Sequence, residues 1–321
     1  MQEILSSLRP VIEHPQFVTF DGVATQRFVD LLTAADFAGH ARTHESMPAS
    51  FTEQDYVGFT VVSSAINFCF WGSPKWTIDV DGQKHDGSYA LYQALFRALR
   101  EDYRLHDPHY LETIPESDFA HILRGTLEIP LFAERLAILR SLGKRMRERF
   151  AGDWMQVLAQ GNYDAPEIVR VLVREMPDIW NDEIDFEGNK VRFFKRVQLV
   201  PAYVSSEISH IDLLQKKITN LASLDAPADY KLPQMLRKFG VMNYSPDLAA
   251  RVDSLTEIPQ GSREETEIRA FTIESVRRMT ELAQKLFPGA HAMKVHEILW
   301  LKSQNPEPGD KPYHRTRTIW Y

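Results

Sequence analysis

Cysteine is almost missing from this 321-residue chain: Cys69 stands alone. That excludes an internal disulfide framework and any Cys-rich zinc or iron–sulfur site. Glycine and proline are sparse, at 15 and 18 residues, so a collagen-like or low-complexity chain is excluded as well. Positive charge is in deficit, with 37 Lys and Arg against 44 Asp and Glu and a formal net charge of −7. Affinity for a nucleic-acid backbone comes from clustered cations, so no stable nucleic-acid complex is expected. The cations present are concentrated locally at Lys144–Arg149, Lys195-Arg196 and His314–Arg317. Such patches suit a small phosphorylated molecule better than a duplex. No uncharged apolar run reaches the roughly 18 residues of a membrane span. The first residues are interrupted by charge and by Pro10, unlike the apolar core of a signal peptide. The expectation is a cytoplasmic protein with no membrane partner. The phosphate-binding patterns GxxxxGK[ST] and GxGxxG and the zinc pattern HExxH are all missing.

The pattern that is present is helical. Phe28, Leu31, Leu32 and Ala35 recur at helical spacing, as do Leu91, Leu95 and Leu99. Leu131, Leu136, Ile138 and Leu139 continue it, followed by Ile168, Val171 and Leu172. Ser262 with Glu265 three residues on reads as a reciprocal helix cap. The apolar stripe Ile268, Phe271, Val276, Met279 and Leu282 follows, and Pro288-Gly289 closes it. Two β-hairpins are expected, one from Trp76 around Asp81-Gly82, the other from Ile184 to Phe194 around Glu187-Gly188-Asn189. The reading is one mainly α domain over residues 1–321 with small β-hairpins, its helices leaving room for two lobes around a cleft.

Histidine gives weak metal signals. His40 and His44, with Glu45 beside them, lack an identifiable third ligand. His106 and His109 flank Asp107-Pro108, a turn in which the Asp caps backbone N–H groups. The Lys144–Arg149 run reads as the wet face of a helix with Leu139, Leu142 and Met146 inside.

Four stretches read as a site. Asn67-Phe-Cys-Phe-Trp71 puts aromatic rings at the end of an apolar helix, where they serve either as core or as a stacking surface for a planar base. Phe193–Leu199 embeds Lys195, Arg196 and Gln198 in an apolar run, so those side chains must find partners. In Ala226–Arg237, Pro233 suits the first position of a helix ending at Gly240, with Asp229 in the approach and Tyr230 and Lys231 adjacent. An Asp held there by backbone N–H groups should stay ionised, either as a cap or as the group that stabilises an oxocarbenium and orients water. In Glu264–Arg269, Glu267 and Arg269 flank the apolar stripe.

Taken together, these segments resemble the queuosine salvage proteins, the queuosine 5′-phosphate N-glycosylase/hydrolases. The likeness is carried by NFCFW at 67–71, FFKRVQ at 193–198, ADYKLPQMLR at 228–237, GVMNYS at 240–245, GSREETEIRA at 261–270 and PYHRTRTIWY at 312–321. Against the family's phrase ADYRVPQ, Lys231 replaces Arg and Leu232 replaces Val; the family's aspartate after Leu-Trp is absent at Leu301. A Lys keeps the charge and loses the planar fork.

The resemblance implies a helical fold similar to helix-hairpin-helix DNA glycosylases. It also implies hydrolysis of queuosine 5′-monophosphate to queuine and ribose 5-phosphate, with no metal or cofactor. Asp229 carries over as the catalytic aspartate. Phe70 and Trp71 would stack on the base, with Tyr230 beside it, and Lys195 or Lys231 would meet the phosphate or the carboxylate. Asp182, Gln198 and Glu267 are candidates for the base edge and its amine, and His314 and Arg315 for the phosphate. The competing readings are a nucleotide N-glycosidase of other base specificity, a non-catalytic tRNA- or base-binding protein, and a helical scaffold.

Overall fold

Helices dominate the computed structural model, which describes residues 1–38, 48, 50–208 and 214–321. Among the described residues six short strands accompany them: β1 (Val18–Phe20), β2 (Thr77–Val80), β3 (Gln83–Asp86), β4 (Glu183–Phe186), β5 (Asn189–Arg192) and β6 (Met242–Tyr244). They pair antiparallel as three two-stranded sheets. β2–β3 and β4–β5 are the expected hairpins, turning through Gly82 and Gly188 at positive φ. The third sheet joins distant segments, pairing Val18 with Tyr244 and Phe20 with Met242. The residues of His40, His44 and Glu45 lie outside the described set.

Several helix ends differ from expectation, each for a local reason. The stripe from Phe28 to Ala35 divides between helices Gly22–Asp30 and Ala34–Phe37, because Thr33 and Asp36 form a capping box that starts the second. Ser262 does cap helix Arg263–Ala283, accepting from the Glu265 N–H at 3.2 Å. The Glu265 carboxylate, however, reaches back to the Gly261 N–H at 3.1 Å instead of to Ser262. Helix Lys231–Lys238 begins two residues before Pro233, which falls in the first turn where its missing N–H has no intrahelical acceptor to lose. Asp107 caps helix Pro108–Thr113 through the His109 N–H at 2.9 Å. In helix Phe132–Phe150, Leu139, Leu142 and Met146 are fully buried, with Lys144 and Glu148 paired outside.

The apolar core forms two clusters. The larger gathers helix Glu53–Ala65, the 66–71 loop, Trp154, Trp180 and Tyr230. The smaller gathers Leu232, Leu236, Ile268, Val276 and Leu299. Helix Glu53–Ala65 packs against helix Lys195–Ile208 and turns a bare backbone to Trp154 at Gly58. A Cβ there would stand 2.5 Å from the indole nitrogen. Among the described residues no helix is long and apolar enough to cross a membrane.

Candidate active site

A recessed cavity opens where the two clusters meet, with Phe70 and Tyr230 on the side of the larger and Trp300 on the side of the smaller. Its floor is built around the end of helix Glu53–Ala65. The last carbonyls of a helix lack intrahelical donors and carry partial negative charge, and here buried cations meet them. Arg196 donates to Ala65 O and Ile179 O; Arg135 donates to Ile66 O, Phe68 O and Cys69 O. Lys195 Nζ donates to Asn67 O at 2.9 Å. Of the long polar side chains of the FFKRVQ stretch, Lys195 thus finds its partner in the NFCFW loop, while Arg196 bonds just before that loop and to Ile179 and lies over the Phe68 ring. Both approaches are tightly turned, with Cys69 at φ 43° and Phe194 at φ 49°. Left-handed non-glycine residues of this kind persist only where the surroundings over-determine them.

Asp229 stands at the base of the cavity, just before helix Lys231–Lys238. Its Oδ1 accepts from the Lys231 N–H at 2.8 Å and the Leu232 N–H at 3.0 Å, the N-terminal placement the sequence suggests. Its charge balance is finer than expected. Burial pushes the carboxyl above its ordinary pKa, against the Lys195 ammonium and the two amides, which favour the anion. Burial lowers the Lys195 pKa to about 8, with Asp229 opposing the shift and Arg196 and Arg269 adding to it. Each of the two groups therefore stabilises the charge of the other.

The mouth is cationic. Lys231 lies 5.3 Å over the Tyr313 ring, which in turn packs 4.8 Å from Tyr230. Lys75 lines the same edge and pairs with Asp86 at 2.6 Å. Arg315 does not line the cavity, yet it adds positive potential at Lys75 and Tyr313.

Of the residues singled out in the sequence, the cavity brings together Phe70, Lys195, Asp229, Tyr230 and Lys231. The others are engaged elsewhere. Trp71 is buried, donates its indole N–H to Thr316 O at 3.2 Å and lies under Arg315 and Arg317. Asp182 accepts both Arg269 nitrogens at 2.9 and 2.6 Å, fully buried. Gln198 holds the approach to Asp229, accepting from the Asp225 N–H at 2.8 Å. Glu267 accepts three successive backbone N–H groups, those of Gln16, Phe17 and Val18. His314 shares a 3.1 Å contact with the Tyr321 hydroxyl, and burial together with Arg269 and Arg237 drives its pKa to about 3, leaving a neutral ring. Lys75, Asp86, Tyr313 and Tyr321 line the cavity without an individual role assigned from the sequence, and Phe68 of the singled-out 67–71 stretch joins them. Asp86 had a readable signal, since Asp86-Gly87 ends the predicted hairpin where the Leu91–Leu99 helix must start. Among the described residues no three His, Cys, Asp or Glu side chains form a group fit to hold a metal.

Comparison with known proteins gives a consistent result. The family model of the queuosine salvage protein matches residues 47–321. A Sphaerobacter thermophilus protein named queuosine 5′-phosphate N-glycosylase/hydrolase is 36% identical over 321 residues, covering 99% of this chain and 97% of that one. A Bos taurus protein of the same name is 27% identical over 340 residues, covering 98% and 97%. A Schizosaccharomyces pombe protein, again so named, is 24% identical over 263 residues, covering 77% and 75%. The buried Lys195, the Asp229 turn and the 67–71 loop lie within the matched span, and this chain belongs to the queuosine salvage protein family.

Proposed function

We propose that this protein hydrolyses the N-glycosidic bond of queuosine 5′-monophosphate, releasing queuine and ribose 5-phosphate. The observation that carries the reading is Asp229, a carboxylate fixed by two amides beside a buried ammonium at the base of a cationic-mouthed cavity. Queuine is a 7-deazaguanine, so the nitrogen that is protonated in purine departure is replaced by carbon. The barrier must fall through charge stabilisation at the two ends of the breaking bond. As C1′–N9 breaks, its electron pair leaves with the base and positive charge grows on the ribose, facing Asp229. The water that adds to C1′ gives one proton to the carboxylate and keeps its hydroxyl on the sugar. The Lys195 ammonium offsets the negative charge on the departing base, whose nitrogen then takes up a proton. Phe70, Tyr230 and Tyr313 supply aromatic surface, and Lys75 and Lys231 receive the 5′-phosphate.

The experiment is release of queuine across pH from queuosine 5′-monophosphate, beside queuosine and guanosine monophosphate. Turnover needs Asp229 ionised, so it falls as pH drops through a carboxyl pKa above the ordinary range. It also needs Lys195 protonated, so it falls again as pH rises through about 8. A Lys195→Met variant is expected to be slow and to lose that alkaline limb. Equal rates on guanosine monophosphate would favour a nucleotide N-glycosidase of other specificity; tight tRNA binding without turnover would favour a binding protein.

A further inference from the structure

Asp86 is a carboxylate at the cavity edge where an anionic group is to be received. Asp86 is the last residue of β3, opposite Thr77 of β2, and it precedes helix Gly87–Arg100. An Asp at that position ordinarily accepts from the first turn of its helix. Here its side chain makes no such bond and turns instead to Lys75, with Oδ2 2.6 Å from Nζ. Both groups are about half exposed, at 45% for Lys75 and 46% for Asp86. Lys231 lines the same cavity; burial and the repulsion of Lys75 lower its pKa, against the attraction of Asp229 and then of Asp86, and among the described residues it forms no ion pair of its own. Lys75, Lys231 and Asp86 therefore form one charge cluster at the cavity edge, in which Asp86 is the carboxylate paired with Lys75 and Asp229 is the stronger attraction on Lys231.

We propose that Asp86 is a displaceable stand-in for the substrate's phosphate, and that it sets how tightly the phosphorylated product is held. This rests on the reading that Lys75 and Lys231 receive the 5′-phosphate. With the pocket empty, Asp86 neutralises Lys75 and prevents two lysines from facing each other unscreened. When a phosphate enters, it competes with Asp86 for Lys75 and meets a like charge beside it. Hydrolysis removes the base but leaves the phosphate at the mouth on ribose 5-phosphate, so the same competition favours release of that product. An aspartate already paired with one lysine and near a second is a poor partner for a cationic amine, which separates this role from recognition of the base.

The test is calorimetric titration of ribose 5-phosphate, and separately of queuine, into wild type, Asp86→Asn, Asp86→Glu, Lys75→Ala and Lys231→Ala. Because the cluster is half exposed and screened, Asp86→Asn is expected to bind ribose 5-phosphate only about fivefold tighter at low salt, with the gap closing at high salt. Its queuine affinity should be unchanged, and Asp86→Glu should hold ribose 5-phosphate as wild type does. Equal or weaker binding of ribose 5-phosphate by Asp86→Asn overturns the proposal, and so does weakened queuine binding, which would make Asp86 the amine's partner. Should Asp86→Asn fail to fold, wild-type behaviour of Asp86→Glu is still required, and a several-fold change there overturns the proposal. If neither lysine variant weakens ribose 5-phosphate, the phosphate lies elsewhere and the underlying assignment of the mouth fails with it.

Discussion

Replacing Asp229 by Asn is expected to lower kcat by about a thousandfold or more, while substrate binding stays within a few-fold of wild type. The asymmetry follows from how the side chain is held. An asparagine oxygen can still accept from the Lys231 and Leu232 N–H groups that fix Oδ1, so the turn and the helix start should survive. What is lost is the negative charge, and with it the stabilisation of a cationic ribose and the acceptor for the water proton. Loss of that charge also removes the favourable partner of the Lys195 ammonium, so the alkaline limb should move to lower pH in whatever activity remains. Single-turnover rates and substrate titration on the folded variant separate the two effects. A kcat within tenfold of wild type would move the reacting carboxylate elsewhere, and an equal loss in binding would make Asp229 a ligand only.

Removal of the Asp182 carboxylate is expected to act on the fold first. Asp182→Ala leaves the Arg269 guanidinium buried against the Phe193 and Tyr321 rings with Glu265 at 3.6 Å as its remaining carboxylate. Breaking such a pair costs about 3–5 kcal/mol, because both short bonds to the buried guanidinium are lost and only the longer Glu265 contact is left to offset its charge. The loss spreads to the site, since Asp182 also accepts the backbone N–H of Lys195 at 3.3 Å. Urea unfolding reads the effect directly. Unchanged stability with a raised KM would restore Asp182 to the substrate's side.

The contrast between Asp229 and Asp182 marks how much of the site was legible in the sequence. Asp229 is held by bonds to residues two and three positions on, and the Pro233 and Gly240 signals around it are local. The β2–β3 and β4–β5 hairpins carry their turns in adjacent residues and were readable for the same reason. Lys195 was conspicuous because an ammonium inside an apolar run demands a partner, though that partner, Asn67 O, lies 128 residues away. Partners at such range carry no local pattern. Asp182 meets Arg269 across 87 residues, and Glu267 caps the backbone of residues 16–18 from about 250 residues away. Those carboxylates therefore looked available when they are already bound. The β1–β6 sheet was invisible on the same grounds. Phe70 and Trp71 are neighbours in an irregular loop, where no period says which ring faces the cavity and which the core.

The most direct test of hydrolysis at C1′ is turnover of queuosine 5′-monophosphate by the wild-type protein in ¹⁸O-labelled water. The expected result is queuine free of label, with one ¹⁸O at C1 of ribose 5-phosphate under conditions that outrun exchange of the sugar's anomeric oxygen. Intact substrate, or a base released without labelled ribose 5-phosphate, would contradict water addition to the ribose opposite a departing base.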